Sequence, residues 1–334
     1  RFDSAGLSTG AVESGFLRFS TAGATTPKTV PLSARVSQCI VMVPEELDFG
    51  NIKLGCRSAP RPVQLFNICG TPIRVTQFSA AGQGFSISSM PMIPAGGLVV
   101  NGSASTTASL VFQPPALGTY LGTLTVTTGL ASGAGGRGVT LPLRGVGDTT
   151  GTTVETFVQP AQPQVDILFT IDNSCSMAEE QAALAMNFNA FISYATTANV
   201  DYRIAVVTTD DFSSSAQGRF VTTGGPAVLE RSMPNVQQAF AQRVNVGING
   251  SGNEKPLSTT LKALTAPLTT STNSGFLRDD ANLAIILITD APDQSQEPLD
   301  YFMNRLPLVK GPRRLHQVSV SAIGPFTNPP AGST

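Results

Sequence analysis

Residues 165–177 read VDILFTIDNSCSM, and this stretch decides the fold of the carboxyl-terminal half of the chain. Its first part, residues 165–171, is almost entirely apolar, which is typical of a parallel strand buried on both faces. An amphipathic helix is predicted next, because apolar residues recur on one face at Leu184, Phe188, Phe191, Ile192 and Ala195. We therefore expect a buried strand, a short polar turn and a helix.

The turn DNSCS, residues 172–176, joins that strand to that helix and carries the carboxylate of Asp172 and the hydroxyls of Ser174 and Ser176. Open α/β sheets bind ligands at the carboxyl ends of their strands. Oxygen donors of this kind suit a hard cation such as Mg²⁺. Considered alone, the turn is equally typical of a helix N-cap, where Asp and Ser are favoured. A second strand end, LAIILITDAPD, supplies Asp290 and favours the metal site.

These two motifs, in this order, resemble a von Willebrand factor A-type domain with its metal-ion-dependent adhesion site, over residues 164–326. The resemblance implies a doubly wound α/β fold and a bound Mg²⁺, Mn²⁺ or Ca²⁺ that accepts an acidic group from a partner protein. It also implies that Asp172, Ser174 and Ser176 are ligands of this cation, and that Asp290 binds it directly or through water.

The third loop of the site departs from the family pattern, which usually has a Thr just before a helix. The matching stretch is INGSGNEKPLSTTLKAL, where Ser251 stands in the expected place and Glu254 is the alternative. The sequence leaves both residues open as the ligand. Asp210 follows a strand predicted at the same sheet edge and is a further candidate, as a water-mediated ligand.

The remainder of this half alternates strands with helices, which predicts a mostly parallel sheet with helices on both faces. Strands are expected at residues 165–171, 202–209, 283–289 and 316–323. Helices are expected at residues 178–195, 235–244, 255–265 and 297–306.

The amino-terminal half consists of short strands separated by Gly and Pro, the pattern of a β-sandwich. VPEELDFGNIKLG followed by VQLFNICGTPIRV resembles immunoglobulin-like repeats of the choice-of-anchor D and ASH group, over residues 39–148. Residues 15–36 parallel residues 122–146, so residues 1–38 are predicted to be the last part of a preceding sandwich. The strands of this half repeat need a covering partner for five apolar residues, Phe16, Leu17, Phe19, Val30 and Leu32. Residues 149–163 are expected to be a linker, in which ETFVQP adds an edge strand, and residues 327–334 a tail.

The four cysteines indicate an oxidising compartment. Cys56 and Cys69 flank the predicted strand PVQLFN, and we predict that they form a disulfide. Cys39 competes for either partner. Cys175 lies inside the DNSCS turn, as a buried thiol or bonded to a residue outside this chain.

Composition narrows the classes of function that the chain can have. The formal net charge is −1 and only 13% of residues are charged, so nothing favours a nucleic-acid partner. No apolar run is long enough to span a membrane. Few charges and many Ser, Thr and Gly residues resemble secreted bacterial proteins, which predicts an extracellular or cell-surface location.

An enzyme is not expected, because the sole histidine, His316, starts the last predicted strand, away from Ser174, and no phosphate-binding glycine motif follows a strand. The leading prediction is a metal-dependent adhesion module on a sandwich stalk, which binds an exposed carboxylate of a partner protein. The alternative is a structural subunit of an extracellular fibre that self-assembles through its sandwich and A-type domains, with strand addition to the half repeat.

Overall fold

The computed structural model describes residues 12–19, 28–35, 39–130, 137–152, 162–311 and 314–324. Strands β1 (Val12–Phe19) and β2 (Lys28–Arg35) form an antiparallel pair, and neither pairs with another described strand. The remainder of the predicted unit 1–38, the edge strand ETFVQP and the tail lie outside the described residues. So do the side chains of β1 and β2, on which the predicted need for a cover rests.

Residues from β3 to β11 fold into a sandwich of two β-sheets, and this confirms the predicted β-sandwich. The first sheet has five strands in the order β4 (Leu47–Lys53), β11 (Arg137–Asp148), β10 (Gly118–Leu130), β6 (Ile73–Ala81) and β8 (Leu98–Val100). The second sheet has four strands in the order β3 (Ile40–Val43), β5 (Arg61–Asn67), β9 (Ser105–Phe112) and β7 (Phe85–Ser89). All pairs are antiparallel except β4 with β11.

The sandwich core lies between these two sheets. Side chains alternate along each strand, so Ile40 and Met42 of β3 point into the core. The rings of Phe85 and Phe112 stack with centroids 4.7 Å apart, and Phe49 packs beside both. Aromatic pairs of this kind add to the stabilisation that burial of their area provides.

The disulfide prediction is wrong in one partner: Cys69 bonds to Cys39, with their Cα atoms 5.0 Å apart, and not to Cys56. The cause is strand pairing, because β3 and β5 run antiparallel and the Ile68 N–H donates to the Cys39 carbonyl at 2.8 Å. Cys56 lies beyond the opposite end of β5, and its exposed thiol is free. Cys175 is also free, and it is exposed where a buried thiol was one expectation.

The carboxyl-terminal half forms a second unit, the α/β domain, around a five-stranded sheet. Its strand order is β14 (Leu229–Glu230), β13 (Asp201–Thr208), β12 (Gln164–Ile171), β15 (Asn282–Ile288) and β16 (Val318–Ile323). Strands β12, β13, β15 and β16 are parallel, and only β14 runs antiparallel to its neighbour β13. The central strand β12 is the apolar run from which the sequence argument started.

Four described α-helices follow the parallel strands: α1 (Ala178–Thr197), α2 (Val236–Val244), α3 (Pro256–Ala263) and α4 (Leu299–Arg305). One hydrophobic cluster joins α1 and α2 to one face of the sheet, and another joins α3 and α4 to the opposite face. The predicted apolar face of α1 is correct, since Phe188, Ile192 and Ala195 are buried in the first cluster. None of the described helices is long and apolar enough to span a membrane.

The amino end of this sheet holds a buried ionic cluster. The Asp166 carboxylate is fully buried and accepts 2.7 Å hydrogen bonds from the Arg278 backbone and guanidinium. The same guanidinium donates to Asp201 at 2.7 Å. Burial raises the pKa of Asp166, and this outweighs the lowering by Arg278. The cluster fastens the loop before β15 to the start of β12.

Candidate metal site

The site is built around Asp172, which follows central strand β12 at the carboxyl edge of the sheet and is fully buried. Its N–H donates to the Ile288 carbonyl at 2.9 Å, so the position of this residue is set by the neighbouring strand β15. One carboxylate oxygen accepts the Ser174 N–H at 2.8 Å, and the other accepts the Thr289 hydroxyl at 2.7 Å. The carboxylate is thereby held in one orientation.

The two serines of the DNSCS turn lie together. The hydroxyl oxygens of Ser174 and Ser176 are 3.4 Å apart, with Ser174 buried and Ser176 exposed. Helix α1 begins at Ala178, so the bond from the Ser174 N–H to Asp172 shapes the turn ahead of the helix. This arrangement differs from the N-cap alternative, in which the side chain would accept an N–H of the first helical turn.

The third loop, which precedes α3, meets the DNSCS turn through its backbone. The Gly250 N–H donates to the Asn173 carbonyl at 2.8 Å, and a Cβ atom at position 250 would collide with the Asn173 side chain. Glu254 is buried, and its carboxylate accepts Gln294 Nε2 at 3.1 Å. The Ser251 hydroxyl is half-buried and accepts the Asn253 N–H of its own loop at 3.0 Å.

The remaining two carboxylates lie at the same sheet edge. Asp290 is half-buried and directly follows Thr289, whose hydroxyl contacts Asp172. Beside it a cavity of 520 Å³ opens, with apolar walls that include Leu184 and Ile323. Asp210 accepts the Phe212 N–H at 2.8 Å, so its carboxylate closes its own turn.

Several buried side-chain oxygens in the loops at this edge have no hydrogen-bond partner among the described residues. They are the side-chain oxygens of Asn173, Thr209 and Asn253. Thr209 is fully buried, and its backbone bridges two parts of the site, because its N–H donates to the Ile171 carbonyl at 3.2 Å and its carbonyl accepts the Lys255 N–H at 3.1 Å. Thr209 was not predicted from the sequence; its signal is a hydroxyl residue directly after the apolar strand β13.

The structure therefore gathers four loops at one edge, those at residues 172–176, 209–210, 250–254 and 289–290. Hydrogen bonds join the DNSCS turn directly to the Thr289 end of β15 and to the third loop. Within the described part of the chain, no three or more His, Cys, Asp or Glu side chains cluster as a metal site. The predicted donors differ from such a cluster, because half of them are hydroxyls.

Comparison with known proteins adds only a weak likeness to solved structures, since no protein-family model and no curated protein matches this chain. The ASH/PapD-like domain 7 of human CEP192 is 13% identical, with a TM-score of 0.28, and covers 33% of this chain and 85% of that one. The VesB protease of Vibrio cholerae is 10% identical, with a TM-score of 0.26, and covers 32% of each chain.

The chaperone–tip adhesion subunit complex CsuC–CsuE of Acinetobacter baumannii is 13% identical, with a TM-score of 0.21, covering 32% of this chain and 51% of that one. This chain thus spans less than two thirds of the matched Vibrio and Acinetobacter chains. TM-scores this low carry no argument about function. The von Willebrand A-type resemblance stays a prediction.

Proposed function

We propose that the chain is a metal-dependent protein-binding module of the von Willebrand A type, carried on an immunoglobulin-like sandwich. The observation that carries this proposal is the gathering of four loops at the sheet edge where Asp172 is buried, with unpartnered buried oxygens in three of these loops. An unpaired buried polar group costs about 1–3 kcal/mol. Three such oxygens in loops at one edge of the sheet favour a bound species that would supply the missing partner.

The residues present fit a hard divalent cation. The donors are carboxylate, hydroxyl and amide oxygens, which Mg²⁺ and Ca²⁺ prefer over softer ligands. Asp172, Ser174 and Ser176 would hold the cation, and Asp290 would bind it directly or through water. When bound, the cation supplies an electrophilic position that accepts a carboxylate from a partner protein. The chain's own residues orient the site and exclude water from Asp172.

For the third ligand we propose Glu254 rather than Ser251. Glu254 is buried, and a buried carboxylate without a cationic partner is costly. The described contacts of its carboxylate include a neutral amide, that of Gln294, and no ion pair. Ser251 is half-buried and its hydroxyl already accepts a backbone N–H. A cation beside Glu254 would offset the cost of burying its charge.

An extracellular or cell-surface location is part of the proposal, and the Cys39–Cys69 disulfide supports it, because disulfides persist in oxidising compartments. A binding module without catalysis is supported by the position of His316. It lies in the 3₁₀ turn Leu315–Gln317 before β16, whereas Ser174 lies beyond the carboxyl end of β12.

The second candidate remains the subunit of an extracellular fibre. The edge strand β16 favours it, because its residues are exposed from Ser319 onward, including Val320 and Ile323, and it pairs on one side only within the described sheet. An open edge is a template for strand addition from another chain. Light scattering distinguishes the two candidates: adhesion predicts that chelation by EDTA leaves the protein's size unchanged, whereas fibre assembly predicts growth with concentration.

Isothermal titration of Mg²⁺ tests the leading proposal. Asp172→Asn keeps the shape of the side chain but removes its charge, and we expect it to abolish binding. Asp280→Asn is the matched control, since this exposed carboxylate precedes β15 at the opposite end of the sheet. Unchanged Mg²⁺ affinity in Asp172→Asn would refute the site. The same titration with Glu254→Gln and Ser251→Ala identifies the third ligand.

A further inference from the structure

The four-stranded sheet of the sandwich is apolar on both of its faces along β3 and at the Phe66 end of β5. Ile40 and Met42 point into the sandwich core, so the alternate residues of the strand point outward. Four residues on that outer side belong to the hydrophobic cluster of the α/β domain. We call them the docking face: Val41, Val43, Phe66 and Ile68.

The docking face packs on α4 and the segment that follows it. Phe66 is fully buried, and its ring meets the Tyr301 ring edge-on at 5.6 Å between centroids. Phe302 and Leu306 are buried in the same cluster. At the rim, Arg305 forms an ion pair with Glu45. An apolar centre with a polar rim is the usual anatomy of a specific protein interface.

The segment that enters α4 is also the segment that leaves the metal site. It runs from Thr289 and Asp290 to Pro298, the residue directly before α4. In its middle the Gln294 N–H donates to the Glu254 carbonyl at 2.8 Å, and Gln294 Nε2 donates to the Glu254 carboxylate. We call residues 289–298 the bridging loop, because both ends of it are fixed by different parts of the molecule.

The sandwich also contacts the bridging loop directly. The Ser103 hydroxyl, in the turn before β9, donates to the Gln296 carbonyl at 3.2 Å. Thus Gln294 contacts a candidate ligand, Gln296 contacts the sandwich, and α4 contacts the docking face. These contacts connect the sandwich physically to the loop that carries Asp290.

We propose that docking of the sandwich positions the bridging loop, so that docking and cation binding are thermodynamically coupled. This inference rests on the proposed metal site. Phe66, Ser103 and Tyr301 are then positioning residues, which act on the cation through Asp290 and Glu254. By reciprocity, a cation that binds better to the docked form tightens the docking by the same factor.

The test compares two conservative substitutions in the sandwich. Phe66→Leu alters the docking face, whereas Phe78→Leu alters a Phe of the sandwich core on β6 and serves as the control. Isothermal titration should show Mg²⁺ affinity weakened about 5-fold or more by Phe66→Leu, the lower end of usual couplings. Phe78→Leu should leave the affinity unchanged within about twofold, which is the smallest difference worth interpreting.

A second readout, hydrogen exchange, reports on docking even without the metal. Hydrogen exchange in EDTA should show α4 and β3 protected in the wild type and Phe78→Leu, and less protected in Phe66→Leu. Added Mg²⁺ should slow exchange of residues 40–43 in the wild type. If Phe66→Leu does not fold, Ser103→Ala removes one contact of the loop and should weaken Mg²⁺ binding in the same direction.

The outcomes separate the two proposals. If the wild type binds no Mg²⁺, the metal site fails, while the exchange of α4 still reports on docking. If the wild type binds Mg²⁺ and Phe66→Leu undocks with unchanged affinity, the coupling is refuted and the site stands. Protection of α4 that is equal in all variants would refute the docking role of Phe66.

Discussion

Substituting Thr209 by valine should stabilise the protein in EDTA and destabilise it in Mg²⁺. Valine has nearly the shape of threonine and carries a methyl group in place of the hydroxyl. In the structure this hydroxyl is fully buried and has no partner among the described residues. A buried unpartnered polar group costs about 1–3 kcal/mol, so Thr209→Val should raise the free energy of unfolding in EDTA by about 1 kcal/mol.

In saturating Mg²⁺, Thr209→Val should instead lower the free energy of unfolding relative to the wild type. On the proposed function, the cation or its water would give the wild-type hydroxyl a partner, and valine could not bind it. A hydrogen bond to a charged species contributes about 1.5–3 kcal/mol, so Mg²⁺ affinity should fall about 10-fold or more in Thr209→Val. Urea unfolding in EDTA and in saturating Mg²⁺ measures both effects, and isothermal titration measures the affinity.

A matched control is available on the neighbouring strand. The Thr170 hydroxyl is also fully buried, but it shares a 2.5 Å hydrogen bond with the Thr260 hydroxyl. Thr170→Val leaves Thr260 unpaired and should destabilise the protein equally in EDTA and in Mg²⁺. The reasoning about Thr209 is wrong if Thr209→Val destabilises in EDTA as Thr170→Val does, or if its Mg²⁺ affinity equals that of the wild type.

Two further predictions concern the fold. Cys39→Ser opens a disulfide of sequence separation 30. We expect the free energy of unfolding, measured with urea, to fall by about 3–4 kcal/mol because the unfolded chain gains entropy. Cys56→Ser should leave it unchanged, and an equal loss there would contradict the observed pairing. Burial raises the pKa of Asp166, so the folded state keeps this proton where the unfolded state has lost it, and the contribution of Asp166 to stability falls as the pH rises through that interval. Asp166→Asn should remove this fall from the pH dependence of urea unfolding above the ordinary pKa of an aspartate, and an unchanged slope would show that the proton is not retained.

Local patterns were enough to predict most of the elements. The apolar run at residues 165–171 is buried on both faces because it is the central strand of a parallel sheet, and the helical spacing after it gave α1. The short strand β14 was missed, since two residues carry no period. Strand pairing in the sandwich could not be predicted from local patterns. Cys56 is nearer to Cys69 in sequence, but antiparallel register puts Cys39 beside it.

The candidate site was predictable where one short motif holds several donors, and not where distant loops meet. Asp172, Ser174 and Ser176 stand in one turn, whereas Thr209 contributes a lone hydroxyl whose relevance depends on the fold. The docking face was missed for a related reason. The run IVMV, residues 40–43, is apolar at every position, which indicates a strand covered on both faces, but sequence alone does not say by what.

The docking face also determines how a pulling force would travel through the molecule. If tension is applied between the sandwich and a partner held at the carboxyl edge of the α/β sheet, the covalent path runs through residues 149–163. The packed contact of Phe66 with Tyr301 offers a second path in parallel. We expect this contact to carry load until it ruptures, and to rupture at a lower force than is needed to unfold either hydrophobic core.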